Sequence, residues 1–188
     1  MPRIAPAEPP YAADIQQAFD RITPPGFEPL LLFRTLAASP RVYERFRNGG
    51  LLDRGPLSLR QREIAIDRTC AIARCEYEWG VHIAFFSAKA GLTSEQVYAT
   101  AWGTAEDACW TEAEQAIIAL CDELYAVARI SDALWARLRT HFDEQQILEL
   151  IALAGFYRTV SYFANGLQLP LESYAARFPA RADRDELE

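Results

Sequence analysis

Apolar residues recur along most of this chain at spacings of three and four, the period of a helix with one buried face, and almost nowhere in strict alternation. Ile15, Ala18, Phe19 and Ile22 mark a first helix within Tyr11 to Ile22, and Thr23-Pro24-Pro25-Gly26 breaks it. A short apolar run follows from Leu30 to Leu36. Ser39 then stands as an N-cap with Pro40 at the first helical position, where a missing N–H costs no bond. Val42, Tyr43 and Phe46 form one apolar stripe, which Asn48-Gly49-Gly50 ends.

Further on, polar residues frame the periodic segments in a repeated way. Ser58 with Gln61, Thr93 with Gln96, Thr111 with Glu114 and Asp143 with Gln146 each have the spacing of a capping box. They predict helices over about Leu59–Ala73, Ser94–Ala101, Glu112–Ala128 and from Asp143 to about Leu167. Ser131 caps a short helix reaching His141, and another helix starts near Cys75 and runs to Ala90, with Gly91 as its C′ residue. There is no alternating strand segment and no Asn-Gly turn, so the fold class is all-α. The proline-rich start predicts an extended arm over residues 1–10, lying on a neighbouring surface. One helical domain spans 11–178, and a charged, flexible tail covers 179–188.

Composition narrows the function classes. With 188 residues the chain suits one domain, and 51% hydrophobic with 24% charged residues is an ordinary soluble balance. The net charge of −7 argues against nucleic acid or an anionic membrane as the main partner. No apolar run approaches the ~20 residues of a membrane span, and the start lacks the apolar core of a signal peptide. A cytoplasmic location is the expectation. Cys70, Cys75, Cys109 and Cys121 form no C-x-x-C pair, so structural disulfides are not expected in a reducing compartment.

Chemistry concentrates in Cys75-Glu76-Tyr77-Glu78-Trp79-Gly80-Val81-His82, which holds one of the two histidines. On a helix, Cys75, Glu78, Trp79 and His82 share a face. Glu78 can orient the imidazole from one turn away. Cys75 falls in the first turn, where free N–H groups favour a thiolate and lower its pKa. Glu63, twelve residues before Cys75, reaches the same pocket if the two helices form a hairpin. This set supports proton transfer through His82, and it also permits thiol chemistry at Cys75. It is an atypical zinc set, so no metal and no cofactor are expected. The same residues also admit a plainer reading, with the thiol as a small core hydrophobe and Glu78 merely paired with His82.

Arg62-Glu63-Ile64, then Cys75 to His82, then Ala90-Gly91-Leu92-Thr93 resemble the carboxymuconolactone decarboxylase family, which includes the alkylhydroperoxidase-D branch. The weaker flanks, from Arg3 to Pro6 and at Glu149, Tyr157 and Asn165, agree. The resemblance implies an all-α bundle around a central helical hairpin, assembled as a trimer, hexamer or dimer. In the peroxidase branch, Glu63 matches the family's Glu, Cys75 its first cysteine and His82 its histidine, but Glu78 stands where a second cysteine should be. A carboxylate cannot close the disulfide of that cycle. Acid–base chemistry on a small carboxylated lactone suits the set better, with His82 as proton donor, Glu63 and Glu78 as its supports, and Tyr77 and Trp79 lining a substrate pocket. Thiol-dependent peroxide reduction at Cys75 and a non-enzymatic, small-molecule-binding oligomer are the alternatives. A small-molecule substrate is the expected partner.

Overall fold

The computed structural model describes residues 2–47, 49–51 and 53–181, and among these all regular structure is helical. Its centre is α4 (Leu59–Ile72). Nine consecutive residues of this helix, Glu63 to Ala71, are buried. A helix buried all round needs neighbours on every side. They are α5 (Glu76–Phe86), α6 (Ser94–Trp102), α7 (Glu112–Val127) and α9 (Glu144–Gly166), with α8 (Asp132–His141) against α7. Ile64 and Ile66 are fully buried on α4, each worth about 1.5–3 kcal/mol relative to exposure. The N-terminal part adds α1 (Ala13–Ile22), α2 (Leu31–Leu36) and α3 (Pro40–Arg47).

The polar frames read from the sequence act as capping boxes at α4, α6, α7 and α9. At α4 the Gln61 N–H donates to Ser58 Oγ at 3.2 Å while the Ser58 N–H donates to Gln61 Oε1 at 2.9 Å. The end of α4 carries no such signal. Arg74 adopts a left-handed φ of 55°, its N–H donates to Ala71 O, and the Cys75 N–H donates to Cys70 O, both at 2.9 Å. This closure reverses the chain without a glycine and folds α5 back against α4 as a hairpin. The Arg74 guanidinium lies 5.2 Å from the Trp102 ring centroid. The regular helix of α5 ends at Phe86, four residues before the expected Ala90. A turn then closes at Gly91, whose φ of +68° favours glycine.

Two segments cross the bundle. Residues 2–10 carry no helix; the Arg3 N–H donates to Leu167 O at 2.8 Å and the Ala7 N–H to Arg34 O at 3.0 Å. Near the other end, the Ala176 N–H donates to Gly80 O at 3.0 Å. A Cβ at position 80 would collide with the Ala176 carbonyl, so this close crossing requires glycine. Phe178 then stacks on Trp79 and Trp102, with centroids 4.9 and 5.6 Å apart. Contrary to the expectation from the sequence, α9 is long and apolar enough to cross a membrane by length and composition. Here Ile147, Leu150, Leu153, Tyr157 and Val160 of that helix are buried in the core. Asn48, assigned to the end of the third helix, and most of the expected tail, 182–188, lie outside the described residues.

Candidate active site

The hairpin brings Glu63 and Asp67, one turn apart on α4, against His82 on α5. All three are buried. His82 Nδ1 lies 2.8 Å from Glu63 Oε2, and its Nε2 lies 3.5 Å from Glu78 Oε1. The imidazole is therefore held from both sides by carboxylates. Its faces are held too: the Tyr157 ring meets it edge-on at 5.1 Å and Phe86 tilts over it at 5.3 Å. Burial alone works against a charged imidazolium. The hydrogen bonds and charges of Glu63 and Glu78 outweigh it and push the His82 pKa up to about 10.

The front of His82 opens on a cavity of about 280 Å³, near the lower end of the ~300–1,000 Å³ common for ligand pockets. His82 and Glu78 supply its buried polar end, and Arg47 and Lys89 are its basic lining residues. The remaining wall is largely apolar, including Phe27, Phe33, Phe46, Phe85 and Phe156. A larger hollow of about 770 Å³ at Arg139–Gln145 is open to solvent and shares no lining residue with this cavity.

The expected site residues divide into two sets. Glu63, Glu78 and His82 come together, with Glu63 making the shorter contact to the imidazole. Cys75, Tyr77 and Trp79 do not reach the cavity wall. Trp79 is fully buried behind α5 and donates its Nε1–H to Thr100 Oγ1 at 3.0 Å. Tyr77 is structural as well: its hydroxyl donates to Glu172 Oε1 at 2.5 Å and accepts from the Leu32 N–H at 3.1 Å. Substrate-pocket roles for Tyr77 and Trp79 are thereby corrected, because the helix turns their side chains to the core side.

The expected lowering of the Cys75 pKa is also corrected. The thiol sits at the N-cap of α5, completely buried. Burial raises its pKa to about 11, although the backbone N–H groups of Glu78 and Tyr77 pull the other way. The first-turn effect read from the sequence is present, but desolvation exceeds it.

Asp67 was not singled out in the sequence. It is buried, and neither carboxylate oxygen has a hydrogen-bond partner. Burial raises its pKa well above the usual carboxyl range; the Glu63 charge adds to this and the His82 charge opposes it. The available signal was its position one turn after Glu63, on the same face of α4. Single donor atoms from Glu63, Asp67 and His82 all lie within 4.8 Å of one another.

A helical hairpin enclosed by a bundle, with an acid–imidazole group at its centre, defines an all-α protein of the alkylhydroperoxidase-D-like fold. The carboxymuconolactone decarboxylase family model matches residues 37–122, somewhat under half of the chain, and over that stretch the chain is similar to this family. An uncharacterized peroxidase-related protein from Silicibacter sp. TM1040 is similar with a TM-score of 0.80 at 16% identity, over 95% of this chain and 96% of that one. The alkylhydroperoxidase AhpD core of a peroxidase-related protein from Ralstonia eutropha JMP134 gives 0.81 at 18%, over 92% and 93%. The debrominase Bmp8 gives 0.69 at 17%, over 91% and 92%. At these identities the likeness is one of fold. No curated protein matches the sequence.

Proposed function

We propose that the chain is an enzyme that carries out proton-transfer chemistry on a small carboxylated lactone or a related ring compound, with His82 as the acid. The observation that carries this reading is the position of His82, gripped by Glu63 and Glu78 at the polar end of an otherwise largely apolar cavity. Such a wall takes a small ring. Arg47 and Lys89 supply positive charge for a substrate carboxylate. In the reaction the bond between ring carbon and carboxylate breaks, carbon dioxide leaves, and the electron pair spreads into the conjugated lactone. His82 Nε2, on the side shared with Glu78, then delivers a proton to carbon. Glu63 holds Nδ1 and stabilises the cationic form before transfer. Solvent returns the proton through the cavity.

Carbon dioxide release from a carboxylated lactone tests this. His82→Gln should abolish release while the helical circular dichroism stays unchanged; undiminished release would sink the mechanism. Peroxide reduction at Cys75 draws less support, since the thiol is enclosed, has a raised pKa and lies off the cavity wall. Self-association and a cytoplasmic setting belong to the same proposal. Leu148 and Tyr162, 67% and 62% exposed on α9, are apolar surface that a second copy would cover.

A further inference from the structure

Behind the imidazole lies a polar group that proton transfer to a substrate does not require. Asp67 is 1% exposed, yet both of its oxygens lack a hydrogen-bond partner. Glu78 Oε2 is also buried and without one. A buried carboxylate without donors bears the full cost of its desolvation. The adjacent arginines offer no relief. Arg62 Nη1 donates to Asp53 O and its Nε is buried without making a hydrogen bond to any of these carboxyls, while Arg68 is paired with Asp122 at 2.6 Å. Three buried carboxyls, Glu63, Asp67 and Glu78, thus share one basic side chain, His82. Even with His82 charged, the group has fewer positive charges than carboxylates.

We infer that Glu63, Asp67 and His82 form a binding site for a first-row divalent cation such as Zn²⁺ or Mn²⁺. Two carboxylates and an imidazole are the donor types these ions take. The donor atoms already lie within 4.8 Å of one another, with His82 Nδ1 and Glu63 Oε2 at 2.8 Å. Ligand distances of about 2.0–2.2 Å require neighbouring donors about 3–3.6 Å apart, so loading requires the Asp67 carboxylate to close on the other two donors and the Glu63–His82 contact to widen slightly. The unpartnered Asp67 oxygens separate this reading from that of an ordinary acidic cluster. They need a cation or a proton, and a cation serves Asp67 and Glu63 together.

The site goes beyond the proposed acid–base function, and only its effect on turnover rests on that reading. A cation on Nδ1 replaces the Glu63 contact and prevents the ring from cycling its proton, so loading should lower turnover.

The test is metal content measured by mass spectrometry on the whole protein, purified from cells grown with Zn²⁺ or Mn²⁺ and, separately, refolded in either ion. The expected result is about one ion per chain in the wild type and less than about a tenth of that in Asp67→Asn. The melting temperature of the wild type should rise with added ion, and that of Asp67→Asn should not. Glu63→Gln makes the same comparison if Asp67→Asn does not fold. Wild-type protein that takes up neither ion by either route overturns the site and leaves a proton as the occupant. Equal uptake by the wild type and the folded variant also overturns it. Metal content is read without any substrate, so loss of the lactone reaction and loss of the metal site are distinguishable.

Discussion

The hairpin α4–α5 and the N-terminal segment through α3 face the same cavity but give it different things. The hairpin contributes Glu78 and His82, with Glu63 and Asp67 behind them. The N-terminal segment contributes mainly apolar wall: Ile22, Phe27, Leu30, Leu32, Phe33 and Phe46. The family match covers the hairpin and α3 but begins at residue 37, so α1, α2 and the Phe27 turn lie outside it. The acid–imidazole group is therefore built from the stretch that the family model matches, while much of the enclosure is built from residues before it. The acid–imidazole group and much of the apolar wall thus come from different parts of the chain and can be altered separately, although Val81, Phe85 and Phe86 of α5 also line the cavity.

The largest expected effect comes from breaking the hairpin side. His82→Gln should reduce turnover by about 10²–10⁴-fold, the range for losing a positioned acid or base. The helical fold should be retained, but the melting temperature measured by calorimetry should fall, because Glu63 and Glu78 lose the cationic partner they share.

Tyr77→Phe attacks the joint between the two parts. The Leu32 N–H loses its acceptor and the Glu172 carboxylate loses one donor. A cost of about 1–3 kcal/mol in urea unfolding is expected. Faster hydrogen exchange at α2, with exchange in α4 unchanged, would place that loss at the joint; equal loosening of both helices would contradict the division.

A smaller effect is expected on the fit side. The Phe27 ring, 42% exposed, packs against Phe85 and Tyr174 with centroids 5.2 and 5.1 Å apart. Phe27→Ala should raise KM about tenfold and leave kcat within about twofold, the pattern of lost uniform binding. A fall in kcat as large as that of His82→Gln would show that the two parts are not separable.

The smallest effect on turnover is expected at Cys75. Cys75→Ser should change carbon dioxide release by less than about twofold, because the thiol lies off the cavity wall. Its pKa of about 11 also sets a pH dependence. The neutral thiol is favoured in the folded chain, so alkylation of Cys75 should stay slow at neutral pH and climb only as the pH approaches about 11. Peptide mapping after timed labelling measures this. Rapid labelling near pH 7 would return the thiol to the list of reactive groups.

Local signals were legible where a few neighbouring residues decide the structure. Ser58, Thr93, Thr111 and Asp143 each cap a helix because the partner lies three residues away in sequence. Gly91 ends its turn for a similarly local reason. Arg74 was not legible as a reversal point, since a non-glycine in the left-handed region is held there by packing, including its stacking on Trp102. At the site, the one-face pattern of Glu78 and His82 could be read directly. It gave no means of ranking Glu63 above Glu78 as the closer partner, because that depends on how α4 and α5 meet.

The sequence by itself determined the all-α class, most helix starts and the stretch that holds His82, since helical periodicity and capping depend on residues three or four apart. Only the tertiary structure decided which faces became buried. It placed Trp79 and Tyr77 in the core, enclosed Cys75 so that desolvation overcame the helix N-terminus, and left Asp67 without a donor beside Glu63 and His82. These outcomes depend on what packs against each side chain from elsewhere in the chain, and local spacing does not contain that information.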